Sequence, residues 1–360
     1  MDEFDRRLLN RLQHGLPLEP HPYALLAAEL DCREEDILRR LDDLLDDGEL
    51  FRDQKGRPRP WPRPLAPLAD THGHLTVFRD HDPARAVARA ALAGVRLLVV
   101  PADPTEDATD ARAFLDSLDA WVEGARSLLA AAAAEGLVPP EFPGAPDLCD
   151  NVRVVAGIHP YGAAQADDAA MACLSDLLAD PRCAGVGEIG LDFTCDVPVD
   201  VQRDVFCRQL RLARELGMPC ELHIRDERDD PEAAAHAMAL EVLDEVGVPE
   251  AGVDLHCYTG DPAVMRPFVE RGCSVAFGGA VTFKRSDEIR DAACACPLGQ
   301  MLTETDSPYM APVPLRGMEC EPAMVCLTAR CLADVRAECG VSDPAETYAA
   351  LWENARSLFG

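Results

Sequence analysis

Lysine is almost absent from this sequence. Lys55 and Lys284 are the only lysines among 34 basic residues, and 64 acidic residues bring the formal net charge to -30. A protein this acidic repels polyanions at long range, which excludes a broad surface that coats nucleic acid. It does not exclude a phosphate ligand, because bound divalent cations can reverse the local field.

Long apolar runs and a secretory signal are missing as well. No stretch approaches the ~20 consecutive apolar residues that a membrane helix needs. Residues 1–7 are charged where a signal peptide has its apolar core. We therefore expect no membrane contact and a cytoplasmic location.

The 15 cysteines include no Cys-x-x-Cys pair, and Cys294-Ala295-Cys296 is their closest spacing. Without a secretory signal, we expect them to be reduced and to serve as small apolar core residues. A metal or redox cluster of cysteines is the alternative.

Residues 1–55 are typical of a small helical module. Apolar positions recur at helical spacing in three short segments, and Asp31-Cys32-Arg33 forms a tight turn between the second and the third. Leu50-Phe51-Arg52 and the residues after it predict a small hairpin wing, so the pattern is that of a helix-turn-helix. The loop at 15–18 and the run at 23–27 make this module similar to the N-terminal modules of AsnC/Lrp-type regulators and of siroheme decarboxylases.

The third helix of the module is poorly suited to reading DNA. A groove-reading helix presents arginine, lysine, asparagine or glutamine to the bases. Residues 34–47 carry seven carboxylates against two arginines, Arg39 and Arg40. Protein docking or dimerisation is therefore the predicted role of the module, rather than DNA binding.

A proline-rich segment, residues 56–67, follows the module and contains five prolines. Such a segment favours extended polyproline structure and acts as a semi-rigid linker of about 3 Å per residue. A proline-rich strand packed along the next domain is the alternative.

Residues 68–360 alternate apolar β-type runs with helical patterns. Eight strand–helix repeats predict an α/β fold, a (β/α)8 TIM barrel, next to a small N-terminal all-α, winged-helix-like domain. The predicted strands are 65–69, 95–100, 152–158, 184–189, 219–222, 252–255, 274–277 and 300–303.

Histidines and carboxylates gather at the ends of these runs. A parallel barrel brings the C-terminal ends of its strands to one face, where residues distant in sequence can meet around metal ions. Two histidines spaced two apart on a strand point to the same side, and a glutamate has two oxygens with which to bridge two cations. The set predicts a metallohydrolase and comprises His72, His74, His159, Glu188, His223, His256 and Asp306.

The stretch Gly185-Val186-Gly187-Glu188-Ile189-Gly190 also matches the dinucleotide-binding pattern Gly-x-Gly-x-x-Gly. That pattern needs its glycines between a strand and a helix. Here a glutamate occupies the middle and Leu191-Asp192-Phe193 continues in an extended style, so we reject dinucleotide binding.

Several motifs make the chain from about residue 68 onward resemble the TatD family of metal-dependent hydrolases, within the amidohydrolase-like superfamily. The matching stretches include Asp70-Thr71-His72-Gly73-His74, Gly157-Ile158-His159-Pro160, Gly187-Glu188-Ile189-Gly190-Leu191-Asp192, His223-Ile224-Arg225, His256-Cys257-Tyr258-Thr259-Gly260, Val281-Thr282-Phe283-Lys284 and Glu304-Thr305-Asp306-Ser307-Pro308.

The resemblance implies two divalent metal ions, which could be Mg, Mn or Zn. One would be held by His72, His74, Glu188 and Asp306, and the other by Glu188, His223 and His256. Glu188 would be shared, and Asp306 would orient the attacking water and act as the base. His159, Arg225 and Lys284 would contact the phosphate or support the metal ligands.

The resemblance implies a deoxyribonuclease, a phosphodiesterase acting on DNA ends or short oligonucleotides. Two alternatives stay open: a hydrolase of a small ester or amide on the same metal site, and a non-enzymatic regulator that binds a ligand. Three departures from the family pattern bear on substrate contacts: Tyr161 replaces a frequent second histidine, Phe193 a common tyrosine and Cys320 a frequent asparagine.

Overall fold

The computed structural model describes residues 3–13, 22–46, 50–52, 58–134, 136–228 and 230–360. The N-terminal module contains the three predicted helices, α1 (Glu3–Gln13), α2 (Pro22–Leu30) and α3 (Glu34–Asp46). Its core is a cluster of buried leucine, isoleucine and alanine side chains that includes Leu8, Leu26 and Ile37.

The predicted wing is present, but its second strand comes from an unexpected place. Strand β1 (Leu50–Arg52) pairs antiparallel with β2 (Pro58–Pro60), inside the segment that we interpreted as a linker. Proline cannot donate to a ladder, but it is tolerated on an edge strand, and both strands of a two-stranded ribbon are edges. The residues first assigned to the return of the hairpin, 53–56, lie outside the described part of the chain.

The large domain is the predicted barrel. Its eight strands hydrogen-bond in sequence order, and every neighbouring pair is parallel. The strands are β3 (Leu68–Asp70), β4 (Val95–Ala102), β5 (Val152–Ala156), β6 (Cys183–Asp192), β7 (Cys220–Arg225), β8 (Val253–Leu255), β9 (Ser274–Phe277) and β10 (Met301–Thr303). The helices are α4 (Pro83–Ala93), α5 (Ala111–Ala134), α6 (Asp168–Leu178), α7 (Val199–Leu216), α8 (Ala234–Val246), α9 (Pro262–Glu270), α10 (Asp287–Ala295), α11 (Val325–Glu338) and α12 (Pro344–Phe359).

Hydrogen bonds between the first and last strands nearly close the barrel. The Thr71 amide donates to the Thr303 carbonyl over 3.0 Å, and the Thr303 hydroxyl donates to the Ala69 carbonyl over 3.0 Å. Just beyond the strands, the Asp306 amide donates to the His72 carbonyl over 2.9 Å. The same contacts that close the barrel therefore bring the two ends of the predicted metal site together.

Strand alternation separates an outer from an inner core. Leu68, Leu98 and Val100 belong to the large cluster shared with the surrounding helices, whereas Ala69, Leu97, Val99 and other inner residues pack with Trp352 and Phe359 of α12. The Asn354 amide also donates to the carbonyl of Met301, where β10 begins, over 2.8 Å. Helix α12 thus covers the N-terminal end of the barrel, and the open face is the one that carries the strand C-termini.

Several strand boundaries differ from the predicted ones by up to three residues. The first barrel strand begins at Leu68 rather than at 65, because Pro64 and Pro67 have no N–H for the ladder. Strand β6 continues past the predicted end at 189 to Asp192, through the stretch that we judged extended but did not assign to the strand.

One pair of cysteines departs from the expectation of reduced thiols. Cys294, near the end of α10, and Cys339, just after α11, lie with their Cα atoms 6.4 Å apart and form a disulfide. The two helices pack side by side, which the spacing in sequence does not reveal. Most of the remaining cysteines are buried, as expected.

Candidate metal centre

The predicted site residues converge at the open face of the barrel. One cavity of about 570 Å³ is lined by His74, His159, Glu188, His223, Arg225, His256 and Asp306, together with thirteen other residues. His72 is fully buried beside this cavity. The strand ends therefore bring together side chains that are as many as 234 positions apart in the sequence, from His72 to Asp306.

Glu188 lies at the centre of this arrangement. Its Oε1 atom is 3.1 Å from His72 Nε2 and 3.7 Å from His74 Nε2. Its Oε2 atom is 3.3 Å from His223 Nδ1 and 3.5 Å from His159 Nε2. Each oxygen of one carboxylate thus faces a different pair of histidines, which is the geometry that a bridging ligand requires.

Three groups of nitrogen and oxygen ligand atoms at the cavity are close enough to hold a cation, and a fourth group includes the thiol of Cys257 together with His256 and Glu304. Within each group the nitrogen and oxygen atoms lie within 4.8 Å of one another, and such mixed donors suit Mg, Mn or Zn. The first three groups are His72, His74 and Asp306; His72, Glu188 and His256; and His159, Glu188 and His223. The donor set fits the two divalent ions that the family resemblance implies.

These groups divide the residues slightly differently from the sequence-based assignment. For the first ion, His72, His74 and Asp306 form one group, and Glu188 Oε1 lies 3.1 Å from His72 and 3.7 Å from His74, but Glu188 and Asp306 do not share a group. For the second, His223 groups with His159, which we had placed among the phosphate contacts, whereas His256 lies against His72 with ring centroids 3.8 Å apart. The partition of ligands between two ions stays a prediction.

A second layer of carboxylates orients the histidines, and sequence reasoning missed it. Glu221 Oε1 lies 2.7 Å from His72 Nδ1, and Glu304 Oε2 lies 2.8 Å from His256 Nδ1. Asp192 Oδ2 is 3.1 Å from His223 Nε2. Such partners fix the tautomer and the ring orientation of a metal-binding histidine.

A signal for this layer was present in the sequence. Glu221, Asp254 and Glu304 each precede a predicted ligand by two positions at the end of an apolar run. The pairing could not be foreseen, however, because the partner of Glu221 is His72, which follows a distant strand, and not its sequence neighbour His223.

Burial and close charges strongly perturb the ionisable groups. Burial opposes ionisation of Glu188, yet the positive charge of His72 and the hydrogen bond from His223 hold its pKa well below the usual range. Burial also opposes the charge on His223, but Asp192 and Glu188 raise its pKa to about 9. Burial, together with positive His72, lowers the pKa of His74 to about 3. The centre therefore attracts positive charge. When no metal is bound, the protonated side chains of His72 and His223 provide that charge.

Two residues of the site adopt left-handed backbone conformations. Cys257 has φ 47° and Asp306 has φ 54°. Non-glycine residues there cost of order 1–3 kcal/mol and persist where the surroundings determine them. At Asp306 the bond to the His72 carbonyl and the 2.8 Å bond accepted from the Tyr309 amide provide that support.

The two predicted cationic contacts differ in position. Arg225 ends β7 and lines the cavity. Lys284 is exposed, in the loop before α10, and is not among the residues that line the cavity. Its contact with a phosphate stays a prediction.

Comparison with known proteins identifies the family of this chain. The family model of TatD-related DNases matches residues 69–360. The chain belongs to the TatD family of metal-dependent hydrolases. It is 33% identical over 302 residues to the uncharacterized metal-dependent hydrolase TatD of Mycobacterium tuberculosis, covering 81% of this chain and 98% of that protein.

Two further relatives bear on the TatD barrel. The 3'-5' ssDNA/RNA exonuclease TatD of Cronobacter sakazakii is 33% identical over 210 residues, which cover 57% of this chain and 75% of that protein. The crystal structure of YJJV, a TatD homolog from Escherichia coli K12, superposes with a TM-score of 0.63 at 25% identity and covers 82% of this chain and 98% of the other. The predicted TIM barrel and the TatD resemblance are confirmed.

The N-terminal module has relatives of its own. The family model of the siroheme decarboxylase NirDL-like helix-turn-helix domain matches residues 5–50. The siroheme decarboxylase NirG subunit of Pseudomonas aeruginosa is 96% identical over 52 residues, 14% of this chain and 35% of that protein. The predicted likeness to siroheme decarboxylase modules is therefore confirmed. Among the described helices, none combines the length and the apolar character that crossing a membrane requires.

Proposed function

We propose that this protein is a phosphodiesterase that hydrolyses the ends of DNA or short oligonucleotides with two divalent metal ions. The observation that carries the proposal is Glu188, whose two oxygens face two separate histidine pairs. Glu188 and the histidines that it faces would hold two cations, which would supply the positive charge that the entering and the leaving oxygen need in an in-line displacement at phosphorus.

The residues have distinct roles in this proposal. When bound, the ions supply Lewis-acid charge and lower the pKa of water. Burial raises the pKa of Asp306 to about 6, so this carboxylate is largely ionised at neutral pH and can take a proton from the attacking water. Arg225 lies at the cavity to contact a non-bridging phosphate oxygen. The water oxygen bonds to phosphorus, the bond to the leaving oxygen breaks, and that oxygen takes up a proton.

Two further points support a nucleic-acid end as the substrate. The Cronobacter sakazakii relative is named as a 3'-5' exonuclease of single-stranded DNA and RNA. The cavity of about 570 Å³ lies within the ~300–1,000 Å³ typical of small-ligand sites, which suits a chain end better than the interior of a duplex.

We expect the purified protein, stripped with a chelator and resupplied with Mg, Mn or Zn, to shorten a labelled single-stranded oligonucleotide from one end. The same preparation without metal should be inactive, because the donor set then holds only protons. Product length on a sequencing gel measures the reaction. Hydrolysis of p-nitrophenyl acetate or of an amide without any cleavage of the oligonucleotide would favour the small-substrate alternative.

We also propose that the N-terminal module docks to a protein or dimerises. Two arginines in or beside α3 are engaged within the module: Arg40 bonds to buried Asp5 over 2.5 and 2.7 Å, and Arg33, just before the helix, bonds to Asp36 over 2.9 and 2.8 Å. Arg39 lies 3.4 Å from Asp36 and is largely exposed. An identity of 96% to a siroheme decarboxylase subunit leaves surface as well as core positions almost unchanged. A protein surface of that enzyme type, or a second copy of the module, is therefore the proposed partner.

The metal-free full chain should show no salt-sensitive binding to a short DNA duplex. Fluorescence anisotropy at about 50 and 200 mM salt tests this, since a real phosphate interface loses much of its affinity over that range. Light scattering coupled to size-exclusion chromatography tests the dimer. Tight, salt-sensitive DNA binding that Arg39→Ala weakens would contradict the proposed role.

A further inference from the structure

Two exposed tyrosines lie at the mouth of the metal cavity. Tyr161 is 44% exposed and Tyr309 is 55% exposed, and both line this cavity. Tyr161 follows β5 and Tyr309 follows β10, so β3 and β4 separate the two on one side of the barrel. Large aromatic rings that stay this exposed at the mouth of a cavity are available for contact with a ligand.

Each tyrosine stands beside a different group of candidate metal ligands. The Tyr309 ring is nearly perpendicular to that of His74, at 84° and 6.2 Å between centroids. The Tyr161 ring is nearly perpendicular to that of His159, at 86° and 4.6 Å. The Tyr309 ring therefore lies on the side of Glu188 that faces His72 and His74. The Tyr161 ring lies on the side that faces His159 and His223.

Local contacts hold Tyr161 in place before any ligand binds. Its hydroxyl interacts with the side chains of Thr194 and Asp192, and its amide donates to His159 Nδ1 over 3.2 Å. Asp192 in turn bonds to His223. An aromatic surface that is already oriented loses little conformational entropy on binding, which favours stacking.

Tyr309 is positioned mainly through its backbone. Its neighbour Met310 and Asp306 both have φ 54°, and its amide donates to the Asp306 carbonyl over 2.8 Å. This tight turn directs the chain across the mouth of the cavity, where the ring stays half exposed.

The charge at the mouth of the cavity determines which part of a nucleotide can contact the two tyrosine rings. Five carboxylates line the cavity, and Arg225 is the one arginine or lysine among its described lining residues. Asp103, Glu106 and Asp107 lie in the loop after β4, on the wall between the two tyrosines. The positive charge of two divalent ions and Arg225 would only neutralise the negative charge of the five carboxylates. Phosphates other than the reacting one would therefore not be attracted to the cavity. The three carboxylates of this wall repel phosphates, but they do not repel uncharged bases.

We propose that Tyr161 and Tyr309 are the stacking surfaces for the two unpaired bases that flank the reacting phosphate. The inference rests on the proposed phosphodiesterase function and assigns the side chains that would contact the bases of a single-stranded end. Base–aromatic stacking is tolerant of sequence, because every base has a π face. Paired bases inside a duplex cannot use these surfaces.

Kinetics on matched substrates test this inference. The first substrate is a short single-stranded oligonucleotide, and the second is the same oligonucleotide with its two terminal nucleotides abasic. Tyr161→Ala and Tyr309→Ala should each raise KM about tenfold on the first and change it less than about twofold on the second. The value of kcat should change little, because neither ring contacts the reacting atoms.

Conservative variants distinguish aromatic stacking from contact by any large apolar side chain. Tyr309→Phe should behave like the wild type, and Tyr161→Phe should recover only part of the affinity, because it loses the contact with Asp192. Tyr161→Leu and Tyr309→Leu should resemble the alanine variants. Both side chains are exposed, so the thermal midpoint should be unchanged in all six variants.

Equal losses on the normal and abasic substrates, or full recovery with leucine, would overturn the stacking role while leaving the phosphodiesterase function intact. A wild-type protein that cleaves neither substrate with any of the three metals would overturn both proposals.

Discussion

Replacement of Glu188 by glutamine should reduce metal-dependent turnover by about a thousandfold or more. The amide has one oxygen instead of two and carries no charge, so it cannot bridge the histidine pairs that Glu188 faces at 3.1 and 3.3 Å. Metal ions supply several kcal/mol of charge stabilisation at the transition state, and ~4 kcal/mol corresponds to about a thousandfold in rate. Initial rates on a labelled oligonucleotide measure the loss.

A matched exposed site distinguishes this loss from a general effect of removing negative charge. Glu288 lies in the first turn of α10, is exposed, and does not line the metal cavity. Glu288→Gln should keep wild-type rates and the wild-type metal content measured by elemental analysis. A Glu188→Gln protein that retains two ions and more than about a tenth of the activity would contradict the bridging role.

Metal affinity should fall by at least about tenfold for each pH unit of acidification between pH 8.5 and pH 6.5. Asp192 and Glu188 raise the pKa of His223 to about 9 despite its burial, so His223 carries a proton in the metal-free protein throughout this range. A metal ion binds only the neutral imidazole, and it must therefore displace that proton. The direction is fixed: a raised pKa in the metal-free protein weakens binding as the pH falls.

Calorimetric titration with Mn in two buffers of different ionisation enthalpy measures the protons released. We expect about one proton per centre from His223, and more if His72, whose pKa Glu221 and Glu188 also raise against the effect of burial, gives up its own. Asp192→Asn removes one of the partners that hold the proton on His223, so this variant should release fewer protons. Affinity that does not change between pH 6.5 and pH 8.5 would show that His223 is not a ligand.

Much of the candidate site could be predicted because its signals are local. His72 and His74 are two positions apart just after the first barrel strand, and Glu188, His223 and Asp306 each end or interrupt an apolar run. The strand and helix periods are local properties too, so the eight barrel strands and the helices of the module were predicted near their observed positions.

Contacts between distant strands could not be read in this way. The sequence spacing between Glu221 and His72 contains no information about their 2.7 Å contact, which depends on the curvature of the sheet and the order of strands around it. The same holds for the pairing of Cys294 with Cys339 across two helices, and for β2, which arises where a proline-rich linker was the simpler interpretation.

The amino-acid sequence by itself determined the kinds of groups available to this protein: an alternating pattern that closes into a barrel, and imidazoles and carboxylates at the strand ends. The tertiary structure alone decided which ligands lie together and which acid orients which histidine. It also decided that His159 and His223 both face the second oxygen of Glu188. The reason is physical. Side-chain chemistry and strand periodicity are local, whereas ligand geometry is a distance between residues that only chain closure brings within reach of one ion.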